Sequence, residues 1–85
     1  MSEITITLIG KPACHLCEDA EQVVSDVLAQ LEMPSVRVES LSIEDDEDLH
    51  DEYWEQIPVL LINGKVHNYW RIDADRLTKA LKELA

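Results

Sequence analysis

Two patterns at the start of this chain limit the folds open to it. Ile4-Thr5-Ile6-Thr7-Leu8-Ile9 is a β-branched, apolar run, and a helical stripe begins shortly after it, at Leu16. The run predicts a strand, and its nearly continuous apolar character suits a central strand covered on both faces. In the stripe, apolar residues fall at Leu16, Ala20, Val23, Val24, Val27, Leu28 and Leu31, with Glu18, Asp19, Glu21, Gln22, Ser25 and Asp26 between them. Spacings of three, four and one trace one face of an α-helix. Met33-Pro34 predicts its end, because the residue before a proline disfavours helical backbone. Val36 to Leu41 predicts a second strand, with Val36, Val38 and Leu41 pointing inward. Strand, helix and strand in so short a span make a βαβ unit, with parallel strands and a right-handed crossover.

The second half is more broken. Ser42 is placed to cap a short acidic helix over 44–54, with Leu49 and Tyr53 on one face at i, i+4. Val59 to Ile62 predicts a strand, Asn63-Gly64 a two-residue hairpin turn, and Lys65 to Tyr69 the returning antiparallel strand. Asp73 is placed to cap a last helix with the stripe Leu77, Ala80, Leu81 and Leu84. The order is βαβ-α-ββα, an α/β chain in a single domain over 1–85. Phe is absent, so Trp54 is expected in the core, while Trp70 either packs there or walls a groove.

Between the first strand and the first helix stand the only two cysteines, in Cys14-His15-Leu16-Cys17. A helix N-terminus presents unpaired N–H groups and the positive end of the helix dipole, and both favour a thiolate. A disulfide closing so short a loop would stabilise the fold little, so the pair reads as chemistry rather than as a staple. Zinc needs four ligands, and Cys14, Cys17 and His15 supply at most three, so no metal is expected. Two buried structural thiols are the bland alternative.

Composition narrows the partners. With 18 acidic residues against 7 basic, the formal charge is −11. That argues against nucleic acid or an anionic membrane, both of which need positive surface. The run Glu44-Asp45-Asp46-Glu47-Asp48, continuing to Asp51-Glu52, reads as a solvated face. If it has a function, it steers a basic partner, and added salt would slow turnover. Met1 to Gly10 lacks a basic segment followed by a long apolar one, and no apolar run approaches the ~20 residues of a membrane span. A soluble, cytoplasmic protein is the expectation.

The element order, Lys11-x-x-Cys14-x-x-Cys17, Ile57-Pro58 and the Asn63-Gly64 hairpin together resemble the thioredoxin fold, most closely the glutaredoxins and small glutaredoxin-like proteins. The likeness covers essentially the whole chain. It implies a four-stranded mixed sheet in the order 2-1-3-4, with helices on both faces. It further implies that Pro58 is the family's cis-proline beside the active-site cysteines, with the main chain around Ile57 and Pro58 pairing with a substrate peptide or glutathione. Lys11 matches the family lysine beside the thiolate and the glutathione carboxylate. Asp73 or Asp75 would hold the γ-glutamyl end of glutathione. Two stretches depart from the family pattern. His15-Leu16 stands where glutaredoxins usually carry Pro-Tyr, and Tyr69-Trp70-Arg71-Ile72-Asp73 replaces a Gly-Gly pair and its acid.

The implied activity is thiol–disulfide exchange on protein or glutathione mixed disulfides. Cys14 would attack and Cys17 resolve, with Lys11, the helix dipole and His15 favouring the Cys14 thiolate. No bound cofactor is expected, glutathione being a candidate reductant, and the protein is expected to be a monomer. A non-catalytic thioredoxin-fold interaction domain, binding a partner at the cis-proline groove, is the alternative reading.

Overall fold

A computed structural model describes residues 4–32 and 36–84. In chain order the elements are β1 (Thr5–Gly10), α1 (His15–Leu31), β2 (Arg37–Ser42), α2 (Glu47–Tyr53), β3 (Val59–Ile62), β4 (Lys65–Tyr69) and α3 (Ala74–Leu84). They build one four-stranded mixed sheet in the order β2-β1-β3-β4. β2 runs parallel to β1, from Thr5 opposite Arg37 to Gly10 opposite Ser42, as a βαβ unit requires. β3 pairs antiparallel with β1, and β4 antiparallel with β3, with a register shift at Leu60/Leu61. This is the thioredoxin fold. No described helix is long and apolar enough to cross a membrane.

Side chains alternate across the sheet because the strand period is two. Ile6, Leu8, Leu60 and Ile62 face α1 and α3, where they meet Ala20, Val24, Val27, Leu77 and Leu81. Ile9, Val59 and Leu61 face the other way, toward Ile43, Leu49, Tyr53 and Ile57. Ile6, Leu60, Leu77 and Leu81 are fully buried, and each contributes about 1.5–3 kcal/mol of apolar transfer. The short helix α2 covers only the Ile9 end of its face, so Thr5 and Thr7 there stay half-buried.

The hairpin follows its sequence signal. Asn63 and Gly64 both take positive φ, 51° and 85°, the conformation a type I′ turn demands. The Asn63 side-chain oxygen also accepts the Thr5 N–H at 2.9 Å, tying the turn to β1.

Four expectations are corrected or moved. Val38 and Leu41 do not point into a core: they are 46% and 43% exposed, and only Val36 packs against buried residues. β2 is an edge strand, and α1 packs beside α3, leaving β2 largely uncovered. The acidic helix starts at Glu47, capped by the Asp46 carboxylate, not by Ser42. Ser42 is still paired with Gly10, and Ile43 donates to the Gly10 carbonyl, so the chain cannot turn into a helix before Ile43 is buried. The Ser42 hydroxyl instead accepts the Glu44 N–H within a turn. Trp54 lies exposed at the end of α2, stacked on His50, because Leu49 and Tyr53 fill the inward positions. The expected helix stop at Met33-Pro34 falls outside the described residues; α1 runs to Leu31, with Glu32 in the left-handed region at φ 52°.

Candidate active site

The site forms where β1 ends and α1 begins. Lys11, Pro12 and Ala13 bridge the two, with Ala13 at φ 57° bringing the chain round to the helix. Cys14 is the N-cap of α1 in extended conformation. An N-cap side chain faces the unpaired N–H groups of the first turn. Here the cap is a sulfur: Cys14 Sγ accepts the Cys17 backbone N–H at 3.3 Å. One turn on, the Cys17 thiol donates to Cys14 Sγ at 2.7 Å. Cys14 is thus the acceptor of the pair and Cys17 the donor.

Electrostatics reinforce that asymmetry. The Cys17 thiol is pushed from 9.0 up to about 11, first by burial, then by its hydrogen bond to Cys14 and the charge there, while the Lys11 backbone and charge pull it down. Burial and the bond to Cys14 therefore both favour the protonated form of the Cys17 thiol. The His15 side chain is 98% exposed, with Nδ1 3.8 Å from the Glu18 carboxylate.

The Ile57–Pro58 peptide bond is cis, and Pro58 is buried. A cavity of about 270 Å³ brings Pro58 together with Cys17, Gly10, Lys11 and the end of β2. Of the candidate site residues, Lys11, Cys17 and Pro58 share this cavity. Ile57 packs into the α2 side of the core. Asp73 caps α3: its carboxylate accepts the N–H groups of Asp75 and Arg76, and its own N–H donates to Asn68. Among the described residues no three His, Cys, Asp or Glu side chains converge as a metal would require.

Gly10 escapes sequence reasoning, whereas Trp70, expected either in the core or as a groove wall, is exposed and lines a cavity beside α1. Gly10 packs against the Cys17 sulfur with no space for a side chain. A glycine closing a strand is a general signal of close approach, but nothing local names what approaches. Trp70 holds φ 65°, a left-handed backbone unusual for a bulky residue. Its backbone N–H donates to the Pro58 carbonyl at 2.9 Å and toward that of Gln56 at 3.3 Å. Its indole N–H donates to the Glu55 carbonyl at 2.8 Å. Trp70 thus straps the segment carrying the cis-proline to the end of β4.

Residues 5–82 match the glutaredoxin-like domain family (DUF836). The chain belongs to this family. A crystal structure of a structural-genomics target from X. campestris shares 32% identity, with a TM-score of 0.66 over 92% of this chain and 96% of that one. A solution structure from Nitrosomonas europaea is 24% identical at TM-score 0.70, over 94% and 93% of the two chains. An uncharacterised protein of Mycobacterium tuberculosis is 25% identical over 79 residues, 91% of this chain and 81% of its own. Chloroplastic thioredoxin z is 15% identical at TM-score 0.71, over 95% of this chain and 77% of its own, a likeness of fold alone. The glutaredoxin-like chain thus places its cysteines and its cis-proline on a thioredoxin scaffold.

Proposed function

We propose that this protein is a dithiol–disulfide oxidoreductase, with Cys14 as nucleophile and Cys17 as resolving thiol. The observation that carries the reading is the 2.7 Å contact in which the half-buried Cys17 thiol donates to Cys14 Sγ at the helix N-terminus. Cys14 thiolate attacks one sulfur of a substrate disulfide. A Cys14–substrate bond forms, and the other substrate sulfur leaves as a thiolate. Cys17 then loses its proton to that leaving thiolate and attacks Cys14 Sγ. The Cys14–Cys17 disulfide forms, and the second substrate sulfur departs as a thiolate, which takes up from solvent the proton that Cys14 released when it ionised. The substrate gains two electrons and two protons in all, and the dithiol is the reductant.

The electrostatics suit this order. Two of the influences holding the Cys17 proton are its hydrogen bond to Cys14 and the charge there. Both disappear once Cys14 is bonded to substrate, so Cys17 becomes more acidic when it must attack. Lys11 stays beside it and favours the resolving thiolate. Pro58 shares the cavity with Cys17, and the main chain at Ile57 and Pro58 would align the substrate.

The test is an equilibrium titration against glutathione redox buffers, read by mass after thiol trapping. A reversible intramolecular disulfide is expected in the wild type. Cys17→Ser should stop at a mixed disulfide, and Cys14→Ser should remain unreactive. Partner binding that survives loss of both thiols would instead favour a non-catalytic interaction domain. Protein disulfides and glutathione mixed disulfides are the substrate classes, and glutathione is a candidate recycling reductant.

A further inference from the structure

A second cavity, of about 360 Å³, lies on the other side of the first turns of α1. One wall is Leu16, Ala20 and Val23 of the helix, and the other is Trp70 and Ile72 at the junction of β4 and α3. The pocket starts within the cysteine motif itself, since Leu16 stands between Cys14 and Cys17. Leu16 is 42% exposed and Trp70 55%, so the pocket presents two large apolar side chains to solvent, one of them inside the cysteine motif. The indole is held in place by its bond to the Glu55 carbonyl and by the edge of Tyr69, 5.0 Å away between ring centroids. A rigid aromatic beside an apolar pocket gives contact area at little entropic cost.

Charge narrows what can fill it. Asp19 lies on the helix wall, Glu18 is exposed one residue before it, and Glu21 and Asp45 border the neighbouring cavity at Cys17. With a formal charge of −11 behind them, these acids favour a cationic substrate and repel an anionic disulfide such as oxidised glutathione. Arg71 on the far wall leaves one cation to meet a main-chain carbonyl. We infer that the Leu16–Trp70 pocket receives an apolar side chain next to the reactive cysteine of a cationic polypeptide, making such protein disulfides the preferred substrates. The inference rests on the oxidoreductase reading and names its substrate class.

The test uses the reduced full chain as sole reductant in single-turnover exchange. Two lysine-containing peptide disulfides are compared, identical except for leucine or serine beside the cysteine. Oxidised glutathione and the neutral bis(2-hydroxyethyl) disulfide are run alongside. The leucine peptide is expected to react about tenfold faster than the serine peptide, the discrimination a pocket gives when it buries part of such a side chain. That ratio is expected to fall to about one in Trp70→Ala, as burial in this pocket requires. Leu16→Ser, at an exposed helical position, should do the same, and it keeps the test valid if the tryptophan variant does not fold. Rising salt is expected to slow the cationic peptides and not oxidised glutathione. Equal rates for the two peptides, a leucine preference that survives both variants, or cationic peptides that react faster in salt would overturn the inference, even if the neutral disulfide is reduced. Failure to reduce the neutral disulfide at all would instead defeat the oxidoreductase reading itself.

Discussion

Gly10 and Cys17 leave no room for a methyl group between them. A Cβ at position 10 would lie 2.7 Å from Cys17 Sγ and 3.2 Å from its Cβ. The last residue of β1 therefore sets how closely the Cys17 sulfur can sit on the strand. Gly10→Ala must push the thiol out of its present rotamer and away from Cys14. We expect a stability loss of about 1–3 kcal/mol, as for other overpacked sites. Intramolecular disulfide formation should slow about tenfold or more, equivalent to about 1.4 kcal/mol in the barrier. Urea unfolding and stopped-flow oxidation measure the two effects separately, and a variant that oxidises at the wild-type rate would show that the contact is idle.

The raised Cys17 thiol predicts a pH dependence of stability. In the folded chain it titrates at about 11 rather than 9.0, so it keeps a proton that the unfolded chain has already lost. Its contribution is complete below the unfolded value and disappears as pH rises through the folded one. Between pH 9 and 11 the reduced wild type should lose stability more steeply than Cys17→Ser. Tyr53, also raised by burial, is common to both proteins and cancels in the difference. Urea curves at a series of pH values check the slope, and parallel curves for the two proteins would contradict it.

Asp73 caps α3 through two backbone N–H groups. Asp73→Ala should cost about 1 kcal/mol, the usual loss for a carboxylate N-cap, whereas Asp73→Asn should cost much less because the amide oxygen caps almost as well. Chemical denaturation of the two variants settles the cap. Exchange with glutathione disulfides in Asp73→Asn then reads the carboxylate charge with the cap preserved.

The edge position of β2 predicts a contrast between two leucines. Leu60 is fully buried in the middle of the sheet and Leu41 is 43% exposed on its edge. Leu60→Ala should cost about 2–5 kcal/mol as a cavity-forming change, and Leu41→Ala less than about 1 kcal/mol because its apolar surface is already half in water. Thermal or urea unfolding of the two variants, side by side, tests whether β2 is as uncovered as it looks.

What the amino-acid order determined by itself is the local structure. The β-branched run at Ile4–Ile9, the stripe from Leu16 to Leu31, the Asn63-Gly64 turn and the Asp73 cap act through neighbours two to four residues apart, and each became the expected element. The Cys14–Cys17 motif was legible for the same reason, since its place at a strand-to-helix junction is a local fact. The strand order and the cis Ile57–Pro58 bond were legible only through the likeness to glutaredoxins. The tertiary structure alone decided which apolar positions are covered. Val38 and Leu41 share the apolar character of β1 residues but stand on an edge strand, Val38 level with Ile6 on the α1 face and Leu41 level with Ile9 on the opposite face, both left exposed, and Trp54 stays outside because Tyr53 fills the inward place. It also decided the contacts that build the site: Gly10 under the Cys17 sulfur, and Trp70 bonded to Glu55 and Pro58. Such contacts depend on how whole elements cross and pack, so residue spacing, which encodes local periodicity, carries no record of them.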